Sequence, residues 1–265
     1  MLFEQLLRQA QTESEFNVNA SWGQGRTLFG GLSAALAYEK IKHNVDPERP
    51  LRSISINFSG QALADIPFSI SEQVLSNGKS ISQINGQLIQ NERIVTQVCA
   101  CFGIERESEI SIVSPKVKLP PIGSNQRLNY MKGLTPEFVQ HFEFEYCKGQ
   151  FPFSNSPLNE LAGWMRFKEP AENFTESHLI ALIDAWPPTV LQKLKKPAPC
   201  ATVSWNLEIV QPLSLLEQPL RANDWFYYAA EIKQAHHGYA HTEAKVYSSD
   251  GTLIALSRQL IAVYA

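Results

Sequence analysis

The stretch SHLIALIDAWPP, residues 177–188, decides how the chain is read. Leu179, Ile180, Leu182 and Ile183 recur at helical spacing and leave little polar face, and the double proline ends the pattern. Asp184 therefore falls where an unpaired carboxylate is expensive. The pattern has an earlier counterpart. GGLSAALA, residues 30–37, lies under SHLIALID, residues 177–184, and each helix pattern leads into a series of alternating strands. An internal repeat of this kind governs the fold before any single motif does.

Working outward, the first unit opens on a strand-like FNVNASW at 16–22 and a glycine-rich turn, followed by the helix pattern GGLSAALAYEKIK at 30–42. LRSISINFSG, PFSISEQVLSNGKS, SISQINGQLIQNE and RIVTQVCACFG follow, bent at Asn77-Gly78 and Asn91-Glu92. Alternation broken at such dipeptides reads as antiparallel hairpins. The second unit has strand-like FVQHFEFEYC and LAGWMRFKE, the helix pattern ESHLIALIDAW, then ATVSWNLEIVQ, DWFYYAAEIKQ, YAHTEAKVYSSDG and TLIALSRQLIAVY. Between the units the chain is rich in Pro, Ser, Gly and charge, as in VSPKVKLPPIGSNQ, and reads as a linker. The expected organisation is a first repeat over 1–107, a linker over 108–135 and a second repeat over 136–265. The class is α+β, one helix per unit lying against an antiparallel sheet. Element order and length fit a hotdog fold, a long helix wrapped by an antiparallel sheet, twice over: a double hotdog.

Composition narrows the function classes. The chain has 265 residues, 44% hydrophobic and 18% charged, with a net charge of -3. A sizeable core is expected, and nothing suggests nucleic acid or an anionic membrane as a partner. No apolar window is long enough to span a bilayer. The opening MLFEQLLRQAQTESEF is a mixed amphipathic stretch without a basic n-region, a long apolar run or a small-residue cleavage site. Cys99, Cys101, Cys147 and Cys200 have no zinc spacing and are too few for a disulfide scaffold, which points to reduced thiols in the cytoplasm. Cys99 and Cys101 share one strand face, read as core.

Four short motifs carry a resemblance. GRTLFGGLSAAL resembles the start of the first helix in the acyl-CoA thioesterase II family, and DAWPP, ATVSW and SRQL, in that order, resemble that family's second-half signature. The resemblance covers most of the chain outside the N-terminal stretch and the linker. It implies a double hotdog, hydrolysis of a fatty acyl-CoA to free acid and CoA, no cofactor or metal, and further self-association into a homo-oligomer. It also implies a catalytic Asp, Thr and Gln, carried here onto Asp184, Thr202 and Gln259.

The repeat tests this assignment. Laying the second unit on the first puts Asp184 on Ala37, Thr202 on Leu51 and Gln259 on Ala100, all apolar in the first unit. Duplication with chemistry kept in one half accounts for the contrast. Each residue has a purely structural reading as well: a solvated carboxylate, a strand-favouring threonine, a buried amide that must find partners.

A thioester is already activated, and its leaving thiol has a pKa of roughly 8.5 if it behaves as an ordinary thiol. What is missing is a nucleophile. A partly buried carboxylate can deprotonate a water, while a hydroxyl and a carboxamide orient it. Covalent attack by Asp184 through an anhydride stays open. Gly30 and Gly31 open the first helix. They serve either as backbone donors at the substrate-binding site or as a tight packing point. GQGRTLFGG is not a dinucleotide fingerprint, and no G-x-S-x-G elbow is present. HHGYAH offers His236, His237 and His241 as conceivable metal ligands, but the segment matches the Asn77-Gly78 bend. The five tryptophans, Trp22, Trp164, Trp186, Trp205 and Trp225, fill the core or line an acyl pocket. Arg26, Arg52, Lys79 and Arg258 are scattered candidates for the CoA phosphates. Two rival readings stand beside the thioesterase. A hotdog hydratase or dehydratase needs a His–Asp type pair, and no histidine falls at the matched positions. A non-enzymatic acyl-CoA-binding module does not explain the polar trio.

Overall fold

The computed structural model describes residues 2–170, 173–216, 220–221 and 223–265. An antiparallel sheet of eleven strands runs through it, and two helices pack on its inner face. In chain order the elements are α1 (Phe3–Thr12), the small hairpin β1 (Gly23–Gln24) and β2 (Thr27–Leu28), α2 (Gly30–Ile41), β3 (Leu51–Phe58), β4 (Ser69–Asn77), β5 (Ile81–Gln90) and β6 (Arg93–Gly103). Then come β7 (Gln126–Leu128), β8 (Phe142–Lys148), β9 (Glu160–Phe167), α3 (Glu176–Asp184), β10 (Cys200–Ile209), β11 (Phe226–His236), β12 (Tyr239–Ser248) and β13 (Leu253–Val263).

The sheet order is β4-β5-β6-β3-β10-β13-β12-β11-β9-β8-β7. It reads the same outward from the β3–β10 joint: β3, β6, β5, β4 on one side and β10, β13, β12, β11 on the other. This is the expected double repeat. Across the joint Ser55 Oγ donates to Asn206 Oδ1 at 2.7 Å, tying the units at the sheet centre.

The ladder registers repeat too. Ile54 faces Ala100 in the first unit as Trp205 faces Gln259 in the second. A β-bulge interrupts each unit at the same place, between Leu51 and Ser53 and between Thr202 and Ser204. An extra residue in one strand shifts the alternation by one. Leu51 consequently opposes Phe102, and Thr202 opposes Ile261, on the inner face of the sheet.

Both core helices are largely apolar because they are enclosed on nearly all sides. Leu32, Ala34, Ala35, Leu36 and Ala37 of α2, and Leu179 to Ile183 of α3, are buried. The small residues of α2 allow close packing against α3. The amphipathic α1 lies on α2 and buries only Phe3, Leu6, Leu7 and Ala10.

Three expectations change. FNVNASW is not a strand: Asn19 accepts from the Ser21 N–H at 3.1 Å and caps a 3₁₀ turn, Ala20–Trp22, leaving Phe16 in a single bridge with Phe68. The start of FVQHFEFEYC is likewise a 3₁₀ turn, Glu137–His141, and the strand begins at Phe142. The linker is partly ordered onto the second unit. Its residues 126–128 pair with β8, the Val117 N–H donates to the Gly251 carbonyl at 3.0 Å, and Trp164 Nε1 donates to the Pro120 carbonyl at 3.2 Å.

Candidate active site

Asp184 is the last residue of α3, stopped there by Pro187 and Pro188, which cannot extend a helix. Its carboxylate points at the sheet. Gln259 Nε2, from the inner face of β13, donates to Asp184 Oδ1 at 2.8 Å. The Gly31 backbone N–H, in the first turn of α2, also hydrogen-bonds the carboxylate. The C-terminal end of one core helix thus meets the N-terminal end of the other, where unpaired N–H groups favour negative charge.

The two glycines explain how the helices come so close. A Cβ on Gly30 would lie 3.0 Å from Asp184 Oδ2, and one on Gly31 would lie 2.8 Å from Asp184 Cβ and 2.6 Å from Phe29 Cζ. Sequence reasoning left open whether the pair serves packing or polar contact. Here the same absence of side chains serves both.

Thr202 reaches the inner face only through the bulge. It opposes Ile261, two residues beyond Gln259 on β13, and is partly accessible. Among the described residues no side-chain hydrogen bond joins it to Asp184 or Gln259. Asp184 and Gln259 are in contact, and Thr202 lies diagonally from Gln259 across the β10–β13 ladder on the same face.

Burial pushes the Asp184 carboxyl up to about 7, against the opposing pull of the Gln259 and Gly31 hydrogen bonds. The residue keeps partial solvent access, so water can reach it. An acid poised at this value exchanges protons readily near neutrality, as a general base must. The surroundings are aromatic. Trp186 stacks on Tyr228 with ring centroids 5.7 Å apart, and Trp205 Nε1 donates to Ser257 Oγ at 2.9 Å beside Gln259. Tyr228 feels the Asp184 charge, and burial pushes its phenol well up.

Two neighbours escaped the sequence reading. Tyr228 had no signal beyond its aromatic strand. Thr242 lies directly across the ladder from Gln259, and comparison of β12 with β5 would have shown it.

The weaker candidates disperse. His236 and His237 form the tip of the β11–β12 hairpin, with His237 at φ 51° and Gly238 at φ 80°, and His241 is exposed. Cys99 and Cys101 are not core: they alternate with buried Val98, Ala100 and Phe102 and sit half-buried on the outer face. Arg258 pairs with Glu243 at 2.7 Å on the outer face, Arg52 Nε donates to the Gly103 carbonyl, and Lys79 lies at a hairpin tip. Arg26 sits in the β1–β2 turn, four residues before Gly30.

Residues 118–263 match the profile of the acyl-CoA thioesterase C-terminal domain, and residues 18–103 match that of the acyl-CoA thioesterase N-terminal domain. The chain is 23% identical over 261 residues to acyl-CoA thioesterase 2 of Haemophilus influenzae, covering 88% of this chain and 86% of that protein. A conserved protein of unknown function with a hot dog fold from Alicyclobacillus acidocaldarius superposes with TM-score 0.80 at 26% identity, over 95% of this chain and 92% of the other. The acyl-CoA thioesterase II TesB2 from Mycobacterium marinum superposes with TM-score 0.75 at 17% identity, over 99% and 98% of the two chains.

Proposed function

This chain belongs to the acyl-CoA thioesterase family, and from that premise we propose that it hydrolyses a fatty acyl-CoA at the Asp184–Gln259 pair of its C-terminal unit. The observation that carries the reading is the 2.8 Å contact between the Gln259 carboxamide and a carboxyl held near neutrality. Asp184 takes a proton from a water that Thr202 and Gln259 orient. The water oxygen bonds to the thioester carbon, and the charge on the carbonyl oxygen is met by backbone N–H groups at the start of α2, with Gly30 the open position there. Collapse breaks the C–S bond, CoA leaves as the thiolate and takes up a proton, and the free acid departs. Positioned base catalysis of this kind contributes ~10²–10⁴ in rate.

The test is release of free thiol from a panel of acyl-CoAs by the parent and by Asp184→Asn. Loss of release with retained acyl-CoA binding is the expected result. Equal rates would remove Asp184 from the chemistry. A parent that binds acyl-CoA without hydrolysing any would make the chain a binding module.

The reading extends to assembly and place. β4 is an unpaired sheet edge with Val74 and Leu75 each about half exposed, which supports self-association into a homo-oligomer. Light scattering on the purified chain tests it, and a monomer at working concentration would refute it. The free state of all four cysteines fits the cytoplasm, which cell fractionation checks. No described helix is long and apolar enough to cross a membrane.

A further inference from the structure

A buried hydroxyl without a partner is destabilising, and a strand position packed among apolar side chains would be better filled by valine. Among the described residues, the buried hydroxyls in this situation are those of Tyr146, Thr189 and Thr242, all in the C-terminal unit. Thr242 stands out by position. It is 3% exposed, and β12 sets it directly opposite Gln259, with Ile232 on its other side.

The repeat gives the same answer independently. In the first unit the residue opposite Ala100 is Ile84, as the residue opposite Gln259 is Thr242. The first unit thus has an apolar side chain at a fourth position matching a polar one: Ala37, Leu51, Ala100 and Ile84 against Asp184, Thr202, Gln259 and Thr242. Buried isoleucine satisfies the fold at this site, so the fold does not need a hydroxyl there.

We propose that Thr242 is a positioning residue for hydrolysis, its hydroxyl holding the Gln259 carboxamide, across one bound water, in the orientation that donates to Asp184. Gln259 Nε2 is committed to Asp184 Oδ1, which leaves Oε1 as the acceptor of the amide. A hydroxyl on the adjacent strand supplies a donor, directly to the water and through the water to Oε1. Water bridges of this kind bind nearly as well as direct contacts. Without the bridge the amide is free to turn, and a turned amide presents oxygen to a carboxylate. The inference rests on Asp184 and Gln259 acting as proposed above.

Thr242→Val keeps the shape and removes the hydroxyl. With full-length protein, kcat for thiol release from an acyl-CoA is expected to fall roughly 10- to 100-fold, the scale on which misplaced groups lose rate, with KM little changed. The thermal midpoint is expected to hold or rise by roughly 2–4 °C. The acid limb of the pH–rate profile moves to higher pH, because the Gln259 bond that favours the charged carboxylate is weakened. Tyr228 on β11 is the ionisable group facing Asp184, and it stays neutral throughout this range. Thr242→Ser is expected to restore kcat and the profile. Parental kcat in Thr242→Val would overturn the proposal. So would a fall in kcat with a lowered midpoint and an unmoved acid limb, or failure of Thr242→Ser to rescue. Asp184→Asn run in parallel separates the layers. An active Asp184→Asn removes the underlying reading and this inference with it, while an inactive one beside a parental Thr242→Val removes this inference alone.

Discussion

Where the C-terminal unit places Asp184 and Gln259, the N-terminal unit places Ala37 and Ala100, and the two corresponding helix starts differ in the opposite sense. α2 begins with Gly30 and Gly31, bare backbone against a carboxylate. α3 has Ser177 and His178 at the matching positions, both buried and both used internally. The Ser177 hydroxyl donates to the Glu39 carboxylate, which also accepts from Gln11 and pairs with Lys42 at 2.7 Å. His178 Nδ1 accepts from the Thr175 N–H at 3.2 Å, and its Nε2 meets Glu4 at 2.9 Å. One helix crossing is left open around an acid with no cationic partner among the described residues. Its twin is closed by a polar knot that ties α1, α2 and α3 together. On the proposed reading the same architecture serves chemistry at one end and cohesion at the other, and the two ends differ in whether the helix start carries side chains.

The sharpest way to break this contrast is Asp184→Asn. The kcat for thiol release is expected to fall ~10²–10⁴-fold, measured on folded protein with acyl-CoA binding as the control. Stability should move the other way. The folded carboxyl is held at about 7, whereas an unfolded one titrates near ~4. Between those values the folded state binds more protons, so the group favours folding at low pH and loses that contribution as pH rises through about 7. Asp184→Asn removes this dependence. Its unfolding free energy should exceed the parent's at pH 8 by something on the order of 1–3 kcal/mol, with a higher midpoint, and the gap should close toward pH 4. Equal midpoints across that range would mean that partial burial does not raise the carboxyl as described.

Glu39→Ala tests the other end. Removing one member of a buried ionic and hydrogen-bonded group leaves its partners uncompensated, at a cost of about 3–5 kcal/mol. Denaturant unfolding should show that loss, while kcat per folded molecule stays at the parental value. A fall in kcat without loss of stability would mean that the N-terminal crossing takes part in turnover.

How much of this was visible in the chain follows from the physics of each element. The helices and the repeat were legible because apolar runs at 3.6 spacing, ended by Pro187-Pro188, have few alternative readings. Asp184 was legible because a charge stood out on a helix without a polar face. Gln259 was partly so: Ile254 and Ala262 on the opposite face are buried as well, so an amide on either side needed a partner. Thr202 was not legible from periodicity at all. Counting alternation back from Trp205 puts it outside, and only the bulge brings it in. Cys99 and Cys101 failed for the reverse reason, since alternation tells which residues share a face but not which face is inside. The 3₁₀ turn at Ala20–Trp22 hides in a stretch whose composition suits a strand, because a single side-chain cap on Asn19 outweighs a weak propensity.

The electrostatic half of the contrast can be sharpened at Gln259. Burial raises the Asp184 carboxyl, and the Gln259 bond holds it back. Gln259→Leu removes the restraint and the orienting amide together. At pH 7 the rate should fall on the order of 10–100-fold, and the acid limb of kcat/KM, which drops as Asp184 protonates below about 7, should move upward. Raising the pH should then recover part of the loss, namely the part due to protonation, while the part due to lost orientation persists. A profile that falls without shifting would mean the amide orients water but does not tune the acid.

The smallest effect is expected at Thr202, and it is informative for that reason. It lies diagonally from Gln259 across the β10–β13 ladder, and among the described residues its hydroxyl bonds to neither member of the pair. A group that touches only the water contributes through orientation, so Thr202→Val should lower kcat by roughly tenfold and leave the acid limb where the parent has it. That separates it from Gln259→Leu, in which both move. Thr202→Leu goes further, since it rebuilds the first unit's Leu51 at the duplicated bulge. If the bulge alone decides what faces the site, the leucine takes the threonine's place without disturbing β10, and the midpoint stays near the parent's while activity falls below that of the valine variant. A large loss of stability would show instead that the two bulges, though matched in register, had become adapted to different side chains.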